Sequence, residues 1–133
     1  RDQPRSRGLG DVYKRQVKTH AGDVDFEVQP ELLSLFSNRD FGRYAGEKGE
    51  MNVCFISNND ITGGNSGSAM FNARGELLGL AFDGNWEAMS SDILYEPKMQ
   101  RCIGVDVRYI LFMIEKYGKA GDLIRELKIV SGK

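Results

Sequence analysis

Alternating and clustered apolar positions in the first half of the chain predict short strands and helical turns. Residues 24–28 read Val-Asp-Phe-Glu-Val, the alternation of a half-buried strand. Pro30 suits the first turn of a helix over residues 31–36, and a second helical turn is expected over residues 38–44. Residues 51–57 are then predicted to form a strand that ends at Asn-Asn-Asp.

A β-hairpin is predicted next. Apolar segments at 69–72 and 76–82 flank Ala-Arg-Gly, where Gly75 can take the left-handed conformation of a hairpin turn. Residues 77–82 are apolar throughout, which predicts a strand buried on both faces. The following stretch, 83–100, is long and irregular, and loops of that length inside a domain are commonly functional.

The chain is predicted to end in a strand and two helices. Residues 101–105 form the strand, and Asp106 is placed to cap a helix over residues 107–117 that Gly118 stops. A last helix is expected over residues 122–130. Its apolar face would comprise Leu123, Leu127 and Val130. This order predicts a mostly β fold with C-terminal helices.

Residues 1–16 differ from the rest of the chain. They are basic, without periodicity and rich in residues that break regular structure. They also resemble adapter-derived translation at the end of a sequencing read. We therefore expect a non-native, disordered leader over 1–16 and one domain over 17–133. A basic arm that binds nucleic acid is the alternative.

Composition and charge narrow the function classes. The 133 residues make one domain at most, and 41% hydrophobic and 28% charged residues are ordinary for a globular protein. A net charge of −1 gives no reason to propose a nucleic-acid partner. The longest apolar run, 109–114, is too short to span a membrane. With His20 as the only histidine, no metal site is expected.

The two cysteines, Cys54 and Cys102, each lie in a predicted strand. Two cysteines do not make a disulfide framework. Buried free thiols are the favoured interpretation, and a disulfide between neighbouring strands stays open.

A glycine-dense turn holds a serine between small neighbours, in Asp60-Ile-Thr-Gly-Gly-Asn-Ser-Gly-Ser. Acyl transfer requires a hydroxyl that stands clear of bulky groups, beside backbone N–H groups aimed at the developing oxyanion. In a Gly-x-Ser-Gly turn, the nucleophile would be Ser66 and the donors the N–H groups of Gly64 and Ser66. A plain surface loop fits the same residues. An α/β-hydrolase elbow would need glycine in place of Ser68, and no Gly-Lys-Ser/Thr follows as in a phosphate-binding loop.

Two longer segments resemble a known family. Residues 66–90, from Ser-Gly-Ser-Ala-Met to Trp-Glu-Ala-Met-Ser, and residues 100–118, from Gln-Arg-Cys-Ile-Gly to Glu-Lys-Tyr-Gly, are similar to the bacterial dipeptidyl-peptidase 7/11 family of serine peptidases. The resemblance implies part of the second barrel of a chymotrypsin-like double β-barrel, incomplete in this chain. It also implies release of N-terminal dipeptides from peptide substrates, with no cofactor.

The same resemblance implies that the catalytic histidine and aspartate lie upstream, outside this chain. His20 is therefore not expected to be the base, and it adjoins the suspect leader. We expect the chain to be inert by itself. A periplasmic, cell-surface or secreted bacterial location is expected, and a homodimer of the full-length enzyme stays open.

Substrate selection is implied at two neighbouring positions. In the family, the aspartate corresponding to Asp83 helps to hold the free α-ammonium group of the substrate, whereas the alternative is a turn residue in Asp-Gly-Asn. Members that prefer acidic side chains carry arginine at the position of Gly84. Glycine there implies a hydrophobic preference, as in dipeptidyl-peptidase 7, with Trp86 and Met89 as nearby wall candidates.

Two other functions stay open. Asp60 lies six residues before Ser66, the spacing of the aspartate at the base of a trypsin pocket, so an endopeptidase with basic preference is one. A non-catalytic remnant or association module is the other. Asn65 replaces the aspartate of trypsin-like zymogens and is expected to bond the loop to itself. Ala69 replaces the proline usual in the family, which casts some doubt on loop rigidity.

Overall fold

The computed structural model describes residues 27–90, 96 and 98–130. The chain divides into two compact units, residues 54–110 and a unit formed by the segments that precede and follow them. The predicted leader at 1–16 and His20 lie outside the described residues. Residues 24–26 of the first predicted strand also lie outside them, and residues 27–28 are not in a strand.

The unit of residues 54–110 contains a four-stranded antiparallel sheet. Its strands are β1 (Cys54–Ser57), β2 (Ala69–Phe71), β3 (Leu77–Gly84) and β4 (Cys102–Asp106). They lie in the order β1-β4-β3-β2 across the sheet. Gly75 has φ +74° in the β2–β3 hairpin, which confirms the predicted turn.

One face of the sheet is closely packed because two positions lack side chains. Phe55 pairs with Gly104 across β1 and β4, and Met70 pairs with Gly79 across β2 and β3. A Cβ at Gly104 would lie 2.7 Å from both Met70 Sδ and Phe55 Cζ, and one at Gly79 would lie 2.8 Å from Phe55 Cε1. Glycine at both positions lets the Phe55 ring lie against the strands.

β3 is irregular near its C-terminal end. Ala81 pairs with Gly104 and Asp83 pairs with Ile103, so Phe82 is an extra residue in β3. Such a β-bulge bends a strand and redirects its side chains. A 3₁₀ helix, Trp86–Ser90, follows the strand directly.

The helices are α1 (Pro30–Ser37), α2 (Val107–Phe112) and α3 (Gly121–Glu126). A 3₁₀ turn, Gly42–Tyr44, follows α1, and α2 continues as a π-helical turn, Met113–Tyr117. The Asp106 carboxylate accepts the Arg108 N–H at 2.9 Å, which confirms the predicted cap.

The core of the other unit is aromatic. Phe36, Phe41 and Phe112 contact one another edge to face, with ring centroids 5.3–5.8 Å apart. Tyr44 is buried and donates its hydroxyl to Glu115. Lys116 Nζ lies 2.8 Å from Asp40 Oδ1.

Two sequence predictions are wrong in detail. The predicted last helix over 122–130 ends at Glu126, and Ile124 is its buried residue. The residues predicted to share its apolar face, Leu123, Leu127 and Val130, are exposed. Their wide spacing matched a helical period, but the chain leaves the helix before the second of them.

The strand predicted to be buried on both faces is the second correction. Gly79 and Ala81 of β3 are buried, whereas Leu77, Leu78 and Phe82 are exposed. The described elements therefore cover the strand only in part. The coarse prediction of an antiparallel, mostly β fold with C-terminal helices is confirmed. Among the described residues, the helices are all too short and too polar to cross a membrane.

Candidate active site

The turn that contains Ser66, residues 60–68, is here called the serine turn. Backbone hydrogen bonds join it to β3. The Gly67 N–H donates to Ala81 O at 2.7 Å, and the Ala81 N–H donates to Ser68 O at 2.8 Å. These two bonds continue the β2–β3 ladder beyond β2. They place Ser66 beside the bulge of β3, directly before Asp83 and Gly84.

Asn65 stabilises the serine turn through two hydrogen bonds within it. Its side-chain oxygen accepts the Thr62 N–H at 2.9 Å. Its backbone carbonyl accepts the Ser68 N–H at 2.9 Å. The expected structural role of Asn65 is confirmed.

Two glycines give the turn its backbone conformation. Gly64 has φ +89° and Gly67 has φ +87°, values that side-chain-bearing residues rarely adopt. A Cβ at either position would meet no atom within 4 Å. Glycine is thus required here for backbone conformation and not for space.

The Ser66 hydroxyl is exposed and loosely held. Its Oγ lies 3.4 Å from the Phe82 carbonyl oxygen, beyond the usual length of an O–H···O hydrogen bond. Within residues 27–90, 96 and 98–130, the Gly64 and Ser66 N–H groups donate no hydrogen bond. An exposed hydroxyl and two open main-chain donors therefore occur in three consecutive residues.

Asp83 and Gly84 lie where β3 leaves the bulge. Asp83 is exposed and belongs to the strand, not to a turn, and its Oδ1 accepts the Gly84 N–H at 2.8 Å. A Cβ at Gly84 would lie 2.8 Å from the Ala88 Cβ and 3.4 Å from Ile61 Cγ2. Ala88 and Ile61 therefore fill the space that a side chain at position 84 would take, and the Arg101 carbonyl oxygen lies 3.8 Å from that Cβ.

Other predicted candidates are less closely tied to this site. Trp86 is 82% exposed in the 3₁₀ helix, and the Met89 side chain lies outside the description. Asp60 is exposed in the irregular segment between β1 and the serine turn. No bond in the described part of the chain joins Asp60 to Ser66 or to Gly84.

Both cysteines are free thiols. Cys102 is buried and Cys54 is half-buried, on paired strands but not in register with each other. Burial raises the pKa of both thiols, so both are protonated and unreactive near neutral pH.

Two residues that shape the site, Phe82 and Asn85, were not predicted from the sequence. The bulge at Phe82 aims a carbonyl at Ser66, and Asn85 bonds to Met99 and Arg101 across the following segment. An asparagine directly after a strand-ending glycine was the available signal for the second. Nothing in the local pattern signals the first, because a bulge depends on the register of β4.

Comparison with known proteins identifies the family. A family model described as Peptidase S46 matches residues 7–129. The chain belongs to the Peptidase S46 family. The match includes residues 7–16, within the segment interpreted as a leader, and that interpretation stays a prediction.

Curated relatives of this S46 chain are dipeptidyl-peptidases. It is 57% identical to dipeptidyl-peptidase 7 of Porphyromonas endodontalis over 121 residues, which are 91% of the chain and 14% of that protein. It is 58% identical to dipeptidyl-peptidase 7 of Porphyromonas gingivalis over 123 residues, 92% of the chain and 17% of that protein. An Asp/Glu-specific dipeptidyl-peptidase of Capnocytophaga gingivalis is 50% identical over 82% of the chain and 15% of its own length.

A solved structure has the same fold over this segment. DPP11 of Porphyromonas endodontalis, in complex with the dipeptide Arg-Glu, matches 93% of the chain and 18% of its own length, with a TM-score of 0.82 and 40% identity. The S46 chain thus spans a small fraction of the relatives that it matches. The resemblance to serine dipeptidyl-peptidases is confirmed at the level of the family.

Proposed function

We propose that this chain supplies the nucleophile segment of a serine dipeptidyl-peptidase that releases N-terminal dipeptides from oligopeptides. The observation that carries the proposal is the exposed Ser66 hydroxyl beside the open N–H groups of Gly64 and Ser66. The names of the S46 relatives support the same reaction class.

The chemistry proceeds in two steps. Ser66 Oγ attacks the carbonyl carbon of the second peptide bond, and its proton passes through a base to the leaving amine as the C–N bond breaks. Water then hydrolyses the ester and releases the dipeptide. The Gly64 and Ser66 N–H groups stabilise the negative oxygen in both steps. The base and its orienting carboxylate come from outside this chain.

Asp83 accounts for the length of the released product. Its exposed carboxylate, in the strand beside Ser66, attracts the free α-ammonium group of the substrate. Anchoring the N-terminus at a fixed distance from Ser66 places the second peptide bond at the nucleophile.

The proposed side-chain preference is hydrophobic. Gly84 contributes no charge, and Ile61 and Ala88 pack beside it, so position 84 offers the substrate an apolar contact and not a charged one. Relatives named dipeptidyl-peptidase 7 and a relative named Asp/Glu-specific dipeptidyl-peptidase both match the chain, which makes this preference a proposal of its own.

A chimera tests the reaction. Residues 17–130 would replace the matching segment of the Porphyromonas gingivalis dipeptidyl-peptidase 7. We expect cleavage after the second residue of a free-amine substrate, abolition by S66A, and retention in S68A, a matched change in the same turn. An N-acetylated twin substrate should resist cleavage. Equal turnover of the two substrates would favour an endopeptidase, the second candidate, and basic preference lost in D60N would support it.

The cellular setting follows the same proposal. We propose a periplasmic, cell-surface or secreted location, where peptides are available as substrates. Fractionation of the source bacterium with an antibody to this segment tests it, and a cytoplasmic pool would contradict it. A homodimer of the full-length protein is also proposed, and its mass in solution would decide.

A further inference from the structure

Asn85 connects two parts of the chain that are far apart in sequence. Its Oδ1 accepts the Arg101 N–H at 2.8 Å, and its Nδ2 donates to Met99 O at 2.9 Å. Its backbone N–H donates to Arg101 O at 2.9 Å. One residue therefore fastens the end of β3 to the residues that lead into β4.

The same residue organises the 3₁₀ helix that follows it. The Asn85 side chain donates to Glu87 Oε2 at 2.7 Å, and its carbonyl accepts the Ala88 N–H at 2.9 Å. Ala88 is buried, and its Cβ occupies the space next to Gly84. The position of Ala88 against Gly84 thus depends on Asn85.

We infer that Asn85 is a positioning residue for Gly84, the position proposed to meet the second side chain of the substrate. It holds the buried Ala88 against Gly84 and so keeps the backbone there in place. This inference rests on the proposed function, because only that function makes Gly84 a contact for the second side chain of the substrate. Asn85 itself does not contact the reacting atoms.

The side chain of asparagine is specifically suited to this role. It needs an acceptor for the Arg101 N–H and donors for Met99 O and Glu87 at the same time, and only an amide of this length supplies both. Alanine removes all three side-chain bonds and leaves the backbone bonds to Arg101 and Ala88. We expect the N85A chain to fold, with Ala88 and the backbone at Gly84 free to shift.

Asn72 provides a matched control at the other end of β3. Its Oδ1 accepts the N–H groups of Arg74 at 2.9 Å and Glu76 at 3.0 Å in the β2–β3 hairpin. N72A therefore removes a comparable loop-closing amide away from Ser66 and Gly84. It reports the effect of lost loop bonds without a change at Gly84.

The test measures kinetics in the chimera. For N85A we expect KM for a substrate with leucine as its second residue to rise roughly 10- to 100-fold, with kcat little changed, because small misplacements at a pocket are costly. The preference for leucine over alanine should fall, since the short alanine side chain depends little on position 84. Labelling of Ser66 by a small fluorophosphonate should keep its rate. N72A should leave KM and preference as they are.

Each of the following outcomes would overturn the inference. N85A that keeps its KM and preference in an active chimera would do so, as would an equal loss in N72A or an equal loss for both substrates. N85D keeps the acceptor for Arg101 but loses the donor to Met99, so it should also lose preference, and an unaltered N85D contradicts the inference. A chimera that cleaves no dipeptidyl substrate overturns the proposed function and this inference with it.

Discussion

At the scale of single residues, the Asp83 carboxylate uses one oxygen in a local hydrogen bond. Oδ1 accepts the Gly84 N–H at 2.8 Å, which fixes the carboxylate at the end of β3. The rest of the carboxylate is available to solvent, and Asp83 as a whole is exposed. Charge and local geometry can therefore be separated by experiment, since an amide retains one oxygen acceptor and loses the charge.

The D83N variant of the chimera tests the amine anchor. We expect kcat/KM for free-amine substrates to fall about 10- to 100-fold, because a hydrogen bond to a charged group contributes about 1.5–3 kcal/mol. The fold of the turn should persist, since asparagine can still accept the Gly84 N–H. D60N is the control and should change nothing. Unaltered kinetics in D83N would contradict the anchor.

Residue-scale prediction from sequence succeeded where the cause is local. Gly75 in the hairpin, Asn65 in its own turn and Asp106 at a helix start act on neighbours within four residues, and each was predicted correctly. Asn85 was missed because its partners lie 14 and 16 residues away. The pairing of distant segments, which places Ser66 beside Phe82, is equally invisible in a local pattern.

At the scale of elements, Gly79 and Gly104 of the sheet differ in how well they would tolerate a side chain. A Cβ at Gly79 would lie 2.0 Å from the backbone oxygen of Val105, which is held in the β3–β4 ladder. The three atoms nearest to a Cβ at Gly104 are all side-chain atoms, of Met70 and Phe55. Side chains can rotate away, whereas a ladder carbonyl cannot move without breaking strand pairing.

G79A should therefore destabilise more than G104A. Overpacking typically costs about 1–3 kcal/mol and occasionally more, so we place G104A within that range and G79A at or above its top. The apparent melting temperatures of the two chimera variants give the ranking. G63A is the control, because a Cβ there meets no atom within 4 Å. The reverse ranking would contradict the packing described for Phe55.

Among the helical elements, Glu115 makes stability depend on pH. The hydrogen bond from Tyr44 is the main cause that lowers the pKa of Glu115, and the Arg43 charge adds to it while burial opposes it. Because the folded pKa lies below the ordinary value of 4.5, the unfolded chain binds the proton first as pH falls. The contribution is complete above pH 4.5 and is lost as the pH falls through the lowered pKa.

Y44F removes the hydroxyl and with it the main cause of this pH dependence. We expect the melting temperature of the Y44F chimera to lie below that of the parent at pH 7, with the difference shrinking as the pH falls below the ordinary value of 4.5. Y117F, a change of the same kind at a half-buried tyrosine, is the control and should show a difference that is constant with pH. A constant difference in Y44F would contradict the role of Glu115.

At the scale of the whole molecule, the surface of the sheet is unusually apolar. Phe71 and Phe82 are 60% and 58% exposed, and Ile56 is 54% exposed. A strand that is apolar on both faces indicates cover on both faces. Since the chain spans 14–17% of the two dipeptidyl-peptidase 7 relatives, we expect further residues of a relative-length protein to cover this surface. Cover of this kind is expected to complete the burial that the sequence predicted for β3.

Groups outside this chain are also expected to govern the reactivity of Ser66, because a serine hydroxyl is inert without a base. Among the described residues, Ser66 Oγ has only the Phe82 carbonyl oxygen as a potential acceptor, at 3.4 Å, and a carbonyl does not act as a base. We therefore expect a fluorophosphonate to label Ser66 in the chimera and to leave the isolated 133-residue chain unlabelled. Circular dichroism of the isolated chain should show β structure, so that the missing reaction is not a consequence of unfolding.

Two variants decide where the base resides. S66A in the chimera should abolish labelling, which assigns the reaction to one hydroxyl. H20A should leave the labelling rate as it is, because the only histidine of this chain is not expected to serve as the base. Rapid labelling of Ser66 in the folded, isolated chain would show that these 133 residues contain their own base. Loss of labelling in H20A would identify that base as His20, and the division of the catalytic groups proposed above would fail.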